Sequence, residues 1–449
     1  MSQGRLRPAQ LLGYAAGDAG NNLTFSMVGM FLLLYYTDVA GIPATAAGTV
    51  FLVVRIWDGI ADLTAGRLVD RTRGRWGKFR PWLLFGSAPL LALGVACFWV
   101  PPLSADGKLL YAYLSYGAYG TAYSLVNIPY GALAAAMTQD STQRTRLATA
   151  RTMGAAGMTL LLTLVVSPQI KGSADLQSSL LATTSVFAVI GLALYLFAFG
   201  SAREVVPRPA EPVGFRRSLR TLADNPPLRL LCLSSLAFLL AQFGLLGVGI
   251  YYARDVLGDA DFYVVLVGAQ TAMYFLSPIV VPSLVSAFGR RASYLLGCVV
   301  LAVGTVGLVF APASARVFPV GCFVLVGMGI GTVSALMWSL EADAVDYGHW
   351  RTGVRAEGAT YAVYSFVRKL GQALGGATVS YTIGLAGYVG GATVQTESAR
   401  WGIRIATGAI PAAGALLAFT VMLFYPLTVG RFQEIVSELR ERTRAVEVG

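Results

Sequence analysis

Long apolar segments recur along the whole chain, and they constrain its fold more than any other feature. We identify twelve, each about as long as the roughly 20-residue helix that crosses the 30 Å hydrocarbon core of a bilayer. No alternation of apolar and polar residues repeats as a membrane β-barrel would require. The sequence therefore predicts an all-α membrane protein with twelve transmembrane helices. The segments lie near residues 10–37, 44–69, 82–101, 109–136, 148–168, 178–200, 228–256, 262–287, 292–312, 316–344, 357–390 and 402–427.

The composition and the placement of charge agree with this prediction. Charged residues make up only 13% of the chain, whereas a soluble domain carries about a quarter. The net charge of +11 does not indicate nucleic-acid binding, because 24 of the 34 Lys and Arg residues fall in loops on one side of the membrane and only 6 on the other. That basic side is cytoplasmic by the positive-inside rule. We therefore expect a multi-pass membrane protein with both termini cytoplasmic, the lipid bilayer around it and no nucleic-acid partner.

The longest polar stretch between apolar segments divides the chain in two. Residues 201–227 include three prolines in Pro207-Arg-Pro-Ala-Glu-Pro212 and indicate a cytoplasmic linker. The basic run Val69–Lys78 after the second segment has a weak counterpart in Ser286-Ala-Phe-Gly-Arg-Arg291 after the eighth. Two similar halves, with a site near the midplane and alternating access, describe the major facilitator architecture. The predicted parts are an N-terminal six-helix bundle at 1–200, the linker, a C-terminal bundle at 228–429 and a cytoplasmic tail at 430–449.

Two acidic residues lie inside the second apolar segment. Asp58 and Asp62 are four residues apart, so both carboxylates project from one face of a helix. An ionisable side chain within a membrane span is costly and marks a functional site by default. Carboxylate oxygens suit a proton or a small hard cation. The structural alternative is an ion pair between Asp58 and Arg55, three residues earlier.

Several motifs resemble those of one transporter family. They are Tyr35-Tyr-Thr-Asp-Val-Ala-Gly, Arg55-Ile-Trp-Asp-Gly-Ile-Ala-Asp, Arg75-Trp-Gly-Lys-Phe-Arg-Pro-Trp, Gly258-Asp-Ala-Asp and Ala342-Asp-Ala-Val-Asp-Tyr-Gly. The chain is similar, nearly end to end, to the glycoside–pentoside–hexuronide:cation symporter family of the major facilitator superfamily. Within it, Tyr123-Ser-Leu-Val-Asn-Ile-Pro-Tyr-Gly and Met337-Trp-Ser-Leu-Glu-Ala-Asp most resemble the glucuronide-carrying members. The resemblance implies a secondary transporter of the bacterial cytoplasmic membrane, not an enzyme, which couples glucuronide or related glycoside transport to a cation.

The resemblance also implies the composition of the cation site. Asp58 and Asp62 would be joined by Ser124 and Asn127 of the fourth helix, where the melibiose-carrying members have a threonine and an aspartate. The neutral Asn127 keeps an oxygen ligand but weakens the negative field, so we expect proton coupling in preference to Na⁺. The alternative role of Ser124 and Asn127 is helix–helix hydrogen bonding.

The implied solute site is more positive than in the melibiose-carrying members. Asn21, Asn22 and Asn127 replace residues that include acids there, whereas Arg151 and Lys369 remain basic. Such a pocket suits a carboxylate, which Arg binds in bidentate fashion. The alternative for Arg151 is to extend to the membrane interface.

Three further residues are candidates for solute binding. Arg368 projects about 100° away from the neighbouring Lys369 on a helix, so the two need not share a role. Trp338 could stack on a sugar ring. Asp18 either lines the pocket or pairs with Arg151.

Charged residues at the cytoplasmic helix ends predict gating salt bridges. No Gly-rich loop is followed by Lys-Ser/Thr, which argues against an ATP-driven pump. The four cysteines and single His have no metal-site spacing, so no cofactor is expected beyond a coupling H⁺ or Na⁺. The remaining alternatives are a symporter for a neutral glycoside and an exporter of another small molecule, each functional as a monomer. The gating candidates are Arg75, Lys78, Glu341, Asp343, Asp346, Arg355 and Glu357.

Overall fold

The computed structural model describes residues 6–72, 75–138, 141–172, 175–204, 225–312, 314, 316–353 and 357–448. Short π-helical turns continue three of the helices, at Tyr35–Val39, Tyr252–Val256 and Ile405–Ala409. The helices are α1 (Pro8–Leu34), α2 (Ala44–Arg71), α3 (Arg80–Cys97), α4 (Ala105–Met137), α5 (Ser141–Gly172), α6 (Leu176–Ser201), α7 (Pro226–Tyr251), α8 (Phe262–Phe310), α9 (Val317–Thr352), α10 (Glu357–Leu385), α11 (Glu397–Arg404), α12 (Ile410–Met422) and α13 (Val429–Val448).

The prediction of an all-α membrane protein is confirmed, since every apolar segment consists largely of helical residues. Within the part of the chain that the structure describes, eight helical stretches are long and apolar enough to cross a bilayer. Helices α1, α4 and α10 are not among them. Each of these three carries polar candidate site residues: Asp18, Asn127 and Lys369 respectively.

Helix α8 contains two of the predicted segments, separated at Gly289. The backbone there has φ 79° and ψ 166°, which glycine adopts readily because it has no Cβ. The guanidinium of Arg291, two residues on, donates hydrogen bonds to the carbonyl oxygens of Met422 and Leu423 at the C-terminal end of α12. The break therefore turns the chain and anchors it to a helix end whose carbonyls lack intrahelical partners.

The chain forms two compact units. The first runs from the N-terminus to the linker and adds Leu246–Val264 and Ser380–Ile403, and the second holds the remainder. In the first unit α1 packs against α5 and α6, α3 against α4 and α6, and α2 against α4. In the second unit the backbones of α7 and α10 meet at Gly375, where a Cβ would lie 2.7 Å from the carbonyl oxygen of Leu240. Residues 205–224 of the predicted linker lie outside the described residues, so the predicted division at 201–227 stays a prediction.

The C-terminal ends of α1 and α7 share one local structure. Tyr35–Gly41 and Tyr252–Gly258 share Tyr, Asp, Val and Gly at equivalent positions. Both form a π-helical turn, closed by a hydrogen bond between backbone atoms of 2.9 Å in one case and 3.0 Å in the other. Both end at a glycine with positive φ, 71° and 74°. This internal repeat, which our reading of the sequence missed, makes α1 and α7 equivalent elements of two related halves.

Candidate functional site

The predicted cation site lies where α2 packs against α4. Asp58 is 5% exposed, and its Oδ1 lies 1.9 Å from the point where a Cβ on Gly120 would be. Ser124 and Asn127 follow Gly120 by four and seven residues, so the three share one face of α4. Ser124 is 2% exposed. The structure therefore places the Asp58 carboxylate against the stripe of α4 that carries the two predicted polar ligands.

Other oxygen atoms near this contact fit the same chemistry. Asp62 lies half-buried one turn after Asp58. Among the described residues, the side-chain oxygen of Asn127 is buried and accepts no hydrogen bond, so its lone pairs are available to a cation. Arg55 Nη1 lies 3.3 Å from Asp58 Oδ2, which is the ion pair that the sequence left open.

Gly120 provides the space that the Asp58 carboxylate occupies. We expect Gly120→Ala to displace Asp58 and to lower the affinity for the coupling cation about five- to hundredfold, since overpacking a filled site costs about 1–3 kcal/mol. The measurement is the initial uptake rate as a function of cation concentration. The control is Gly131→Ala on the same helix, where a Cβ would meet nothing within 4 Å. Equal cation affinity in the two variants would contradict the assignment of Gly120.

The second candidate cluster joins α1 to α5. Arg151 Nε donates to Asp18 Oδ1 at 2.8 Å, and Asn22 Nδ2 donates to Asp18 Oδ2 at 2.9 Å. The guanidinium lies 5.4 Å from the ring centre of Tyr130, which stacks on Tyr14 at 4.8 Å. Asp18 is thus the partner of Arg151, one of the two roles that the sequence allowed.

Asn21 does not join this cluster. Its side chain is 1% exposed, and its Oδ1 accepts a hydrogen bond from the Tyr195 hydroxyl of α6. Asn22, by contrast, faces Asp18. The two neighbouring amides therefore lie in different environments, and the structure gives Asn21 a contact between α1 and α6.

In the second unit, Arg368 and Trp338 lie together. The Arg368 guanidinium stands 4.8 Å from the ring centre of Trp338, and the Trp338 ring stacks on Tyr361 at 6.1 Å. Trp338 and Tyr361 are 44% and 53% exposed. Lys369 is half-buried on the same helix as Arg368. This part of the unit offers an aromatic surface beside positive charge.

The predicted cytoplasmic gating residues are only partly described. Asp343 is 6% exposed and pairs with Arg290, which follows the break in α8. The sequence analysis did not include Arg290 among the gating candidates. Glu341 and Asp346 are half-buried on α9. Arg355 and the side chain of Glu357 lie outside the described residues.

Arg75 and Lys78 belong to the turn before α3. Arg75 stacks on the adjacent Trp76 ring at 4.5 Å. The backbone nitrogens of Lys78, Phe79 and Arg80 donate to the Glu204 carboxylate at 2.8, 2.8 and 3.0 Å. Glu204 therefore holds the start of α3, a role that suits an anion at a helix N-terminus.

A buried charged cluster lies at the C-terminal end of α1, and the sequence analysis did not predict it. Arg254 Nη1 lies 2.9 Å from Asp38 Oδ1, and its Nε and Nη2 form a two-pronged contact with Asp255 at 3.0 and 2.9 Å. The side chains of Asp38 and Asp255 are 7% and 10% exposed. We call these three residues with Tyr388 the outer cluster.

Tyr388 connects the loop after α10 to the outer cluster. Burial raises the pKa of Tyr388, so its hydroxyl keeps the proton and donates to Asp38 at 3.0 and 2.9 Å. The Tyr388 ring also packs edge-on against Tyr251 at 5.2 Å. A Cβ on Gly390 would lie 1.9 Å from the Thr37 carbonyl oxygen, so glycine permits this close approach of the loop.

Comparisons with known proteins agree with these observations. Residues 13–429 match the family described as MFS/sugar transport proteins. The chain is 43% identical to the glucuronide carrier protein homolog of Escherichia coli K12, over 97% of this chain and 96% of the relative. It is 32% identical to the inner membrane symporter YicJ of Escherichia coli K12, over 96% and 95%. It is also 32% identical to a putative sulfoquinovose importer of Salmonella typhimurium, over 96% and 92%. The crystal structure of the nucleoside transporter NupG has the same fold, with a TM-score of 0.65 at 12% identity, over 94% of this chain and all of NupG.

Proposed function

The chain belongs to the family of MFS/sugar transport proteins, and from that premise we propose that it is a cation symporter for acidic glycosides, glucuronides in particular. It is a multi-pass membrane transporter and not an enzyme. We place it in the bacterial cytoplasmic membrane, with both termini cytoplasmic and the proton as the favoured coupling ion. The relatives' names support this direction, since one is named a symporter, one for glucuronides and one for sulfoquinovose.

The observation that carries the substrate proposal is the sign of the charge among the candidate solute residues. Arg151 in the first unit has 40% of its side chain exposed, and Arg368 and Lys369 lie on one helix of the second unit. Arg151 is paired with Asp18, and Asn22 and Asn127, which the resemblance aligns with acids of the melibiose-carrying members, are neutral amides. A guanidinium grips a carboxylate through two parallel hydrogen bonds, so these side chains favour an acidic sugar over a neutral one.

The cation proposal rests on the contact between α2 and α4. Asp58 and Asp62 supply carboxylates that a proton neutralises, and Ser124 and Asn127 supply neutral oxygens. With Asn127 in place of the aspartate of the melibiose-carrying members, the site has one carboxylate fewer and attracts Na⁺ less strongly, because each charge adds to the field at the ion. Accordingly we propose that the proton gradient, more than a Na⁺ gradient, drives accumulation of the solute.

The test of the substrate proposal is competitive displacement on purified protein by a glucuronide and a glucoside that share one aglycone. We expect the wild type to favour the glucuronide. Lys369→Ala and Arg151→Ala should each weaken glucuronide binding ten- to hundredfold, since a charged hydrogen bond contributes about 1.5–3 kcal/mol, with a far smaller effect on the glucoside.

The control is Arg146→Ala, which removes an exposed positive charge from α5, the helix that carries Arg151. It should leave both affinities near those of the wild type. If the wild type binds the glucoside as tightly, or if the two site variants weaken both ligands equally, a neutral-glycoside symporter becomes the better account.

A further inference from the structure

We propose that Asp18 takes up a proton each time an acidic solute binds to Arg151, so that acidic and neutral solutes differ by one bound proton. The inference rests on the proposed function, since it requires that the solute carries an anionic group. It adds to the proposed site at Asp58 and Asp62 a second proton site on α1, linked to the charge of the solute.

The geometry gives Asp18 and the solute one guanidinium to share. The Asp18 side chain is 3% exposed, whereas that of Arg151 is 40% exposed. Arg151 uses its Nε for the 2.8 Å contact with Asp18 Oδ1, and a guanidinium carries four further N–H groups. A solute can therefore reach Arg151 while Asp18 stays behind it.

The stacked rings of Tyr14 and Tyr130 keep the guanidinium in place. Arg151 lies over the Tyr130 ring at 5.4 Å, and the Tyr130 hydroxyl donates to the Tyr14 carbonyl oxygen at 2.6 Å. Asn22 holds the other Asp18 oxygen at 2.9 Å. Neither side chain of the pair needs to move far when the solute binds, so the main change on binding is the protonation of Asp18.

Repulsion between two carboxylates on one guanidinium then favours the proton. Asp18 and Arg151 form a neutral pair, and a solute carboxylate bound to Arg151 places a second negative charge beside the buried Asp18, which favours the protonated form of that carboxyl. A proton from the medium that bonds to Asp18 removes this repulsion, and the Arg151 N–H groups that do not face Asp18 donate to the solute carboxylate. When the solute leaves, Asp18 releases the proton on the same side as the solute.

The other titratable groups around Asp18 do not exchange protons near neutral pH. Phenols have ordinary pKa values of about 10 and guanidinium groups above 12, so Asp18 is the member of the group that gains or loses a proton. The groups that face it are Arg151 of α5, Tyr14 of α1, Tyr123 and Tyr130 of α4, and Tyr195 of α6.

The experiment is titration calorimetry in buffers that differ in ionisation enthalpy, with a glucuronide and a glucoside that share one aglycone. Protons taken up at Asp58 and Asp62 contribute to both ligands and cancel in the comparison. We expect glucuronide binding to take up about one proton more than glucoside binding. Glucuronide affinity should also fall by up to tenfold more per pH unit than glucoside affinity, the slope for one linked proton.

Asp18→Asn mimics the protonated carboxyl and should abolish the difference in proton uptake between the two ligands. The matched control is Asp175→Asn, a carboxylate that accepts from Ser178 at the exposed start of α6; it should retain the difference. If Asp18→Asn does not fold, the wild-type measurement alone decides.

Equal proton uptake by the two bound ligands, or a difference that survives in Asp18→Asn, would overturn this inference and leave the proposed function standing. A protein that binds the glucoside but not the glucuronide would overturn both.

Discussion

Asp58→Asn or Asp62→Asn is expected to abolish accumulation of the solute against its gradient. Asparagine matches aspartate in size, and at position 58 it still fills the space beside Gly120, so the packing of α2 on α4 survives. It cannot bind and release a proton, and it offers a cation no negative charge. Movement of the driving ion is then no longer coupled to movement of the solute. We therefore expect a complete loss of uphill transport and not merely a change in solute affinity.

The measurement uses membrane vesicles with an imposed proton gradient. Wild-type accumulation should collapse with a protonophore and respond little to Na⁺. In both variants, exchange of solute at equal concentrations on the two sides should partly survive, because Asp18, Arg151 and the second-unit residues are unchanged. This split between uphill transport and exchange separates a coupling role from general damage.

The control is Asp106→Asn, which removes an exposed carboxylate from the first turn of α4. It should accumulate solute as the wild type does. If both Asp58→Asn and Asp62→Asn accumulate solute at the wild-type level, the two acids have a structural role, in which Asp58 forms an ion pair with Arg55.

Helix periodicity predicted features that depend on a single helix, but it could not decide contacts between two helices. The spacing of Asp58 and Asp62 places them on one helical face whatever the helix packs against. Gly120 could not be singled out among 51 glycines, because its importance arises only from the carboxylate that α2 brings to it. The same limit left Asp18 with two possible roles, since its partner Arg151 is 133 residues away.

The outer cluster shows how much an internal repeat could have added. Aligning Tyr35–Gly41 with Tyr252–Gly258 places Asp38 and Asp255 at equivalent positions, each at the end of a helix. Neither the repeat nor the composition indicates that Arg254 serves both carboxylates, or that Tyr388 joins them from a third segment. Those contacts depend on how the helix ends and the loop after α10 meet.

Arg254→Gln is expected to lower the free energy of unfolding by about 3–5 kcal/mol, the cost of removing one partner from a buried ion pair. Asp38 and Asp255 would both lose their shared cation while 7% and 10% exposed. Tyr388 would still donate to Asp38, but a neutral phenol cannot balance the charge. The measurement is denaturant or thermal unfolding of the purified protein in detergent.

The companion variant Arg254→Gln/Asp38→Asn/Asp255→Asn removes the three charges together and separates charge burial from packing. Its side chains keep their size and can still hydrogen-bond, so most of the lost stability should return, because the cost in Arg254→Gln comes from carboxylates left without a cation. Neighbouring substitutions that interact in this way are not additive. A cost below about 1 kcal/mol for Arg254→Gln would instead match an exposed surface pair, and the outer cluster would then not hold the loop after α10 against α1.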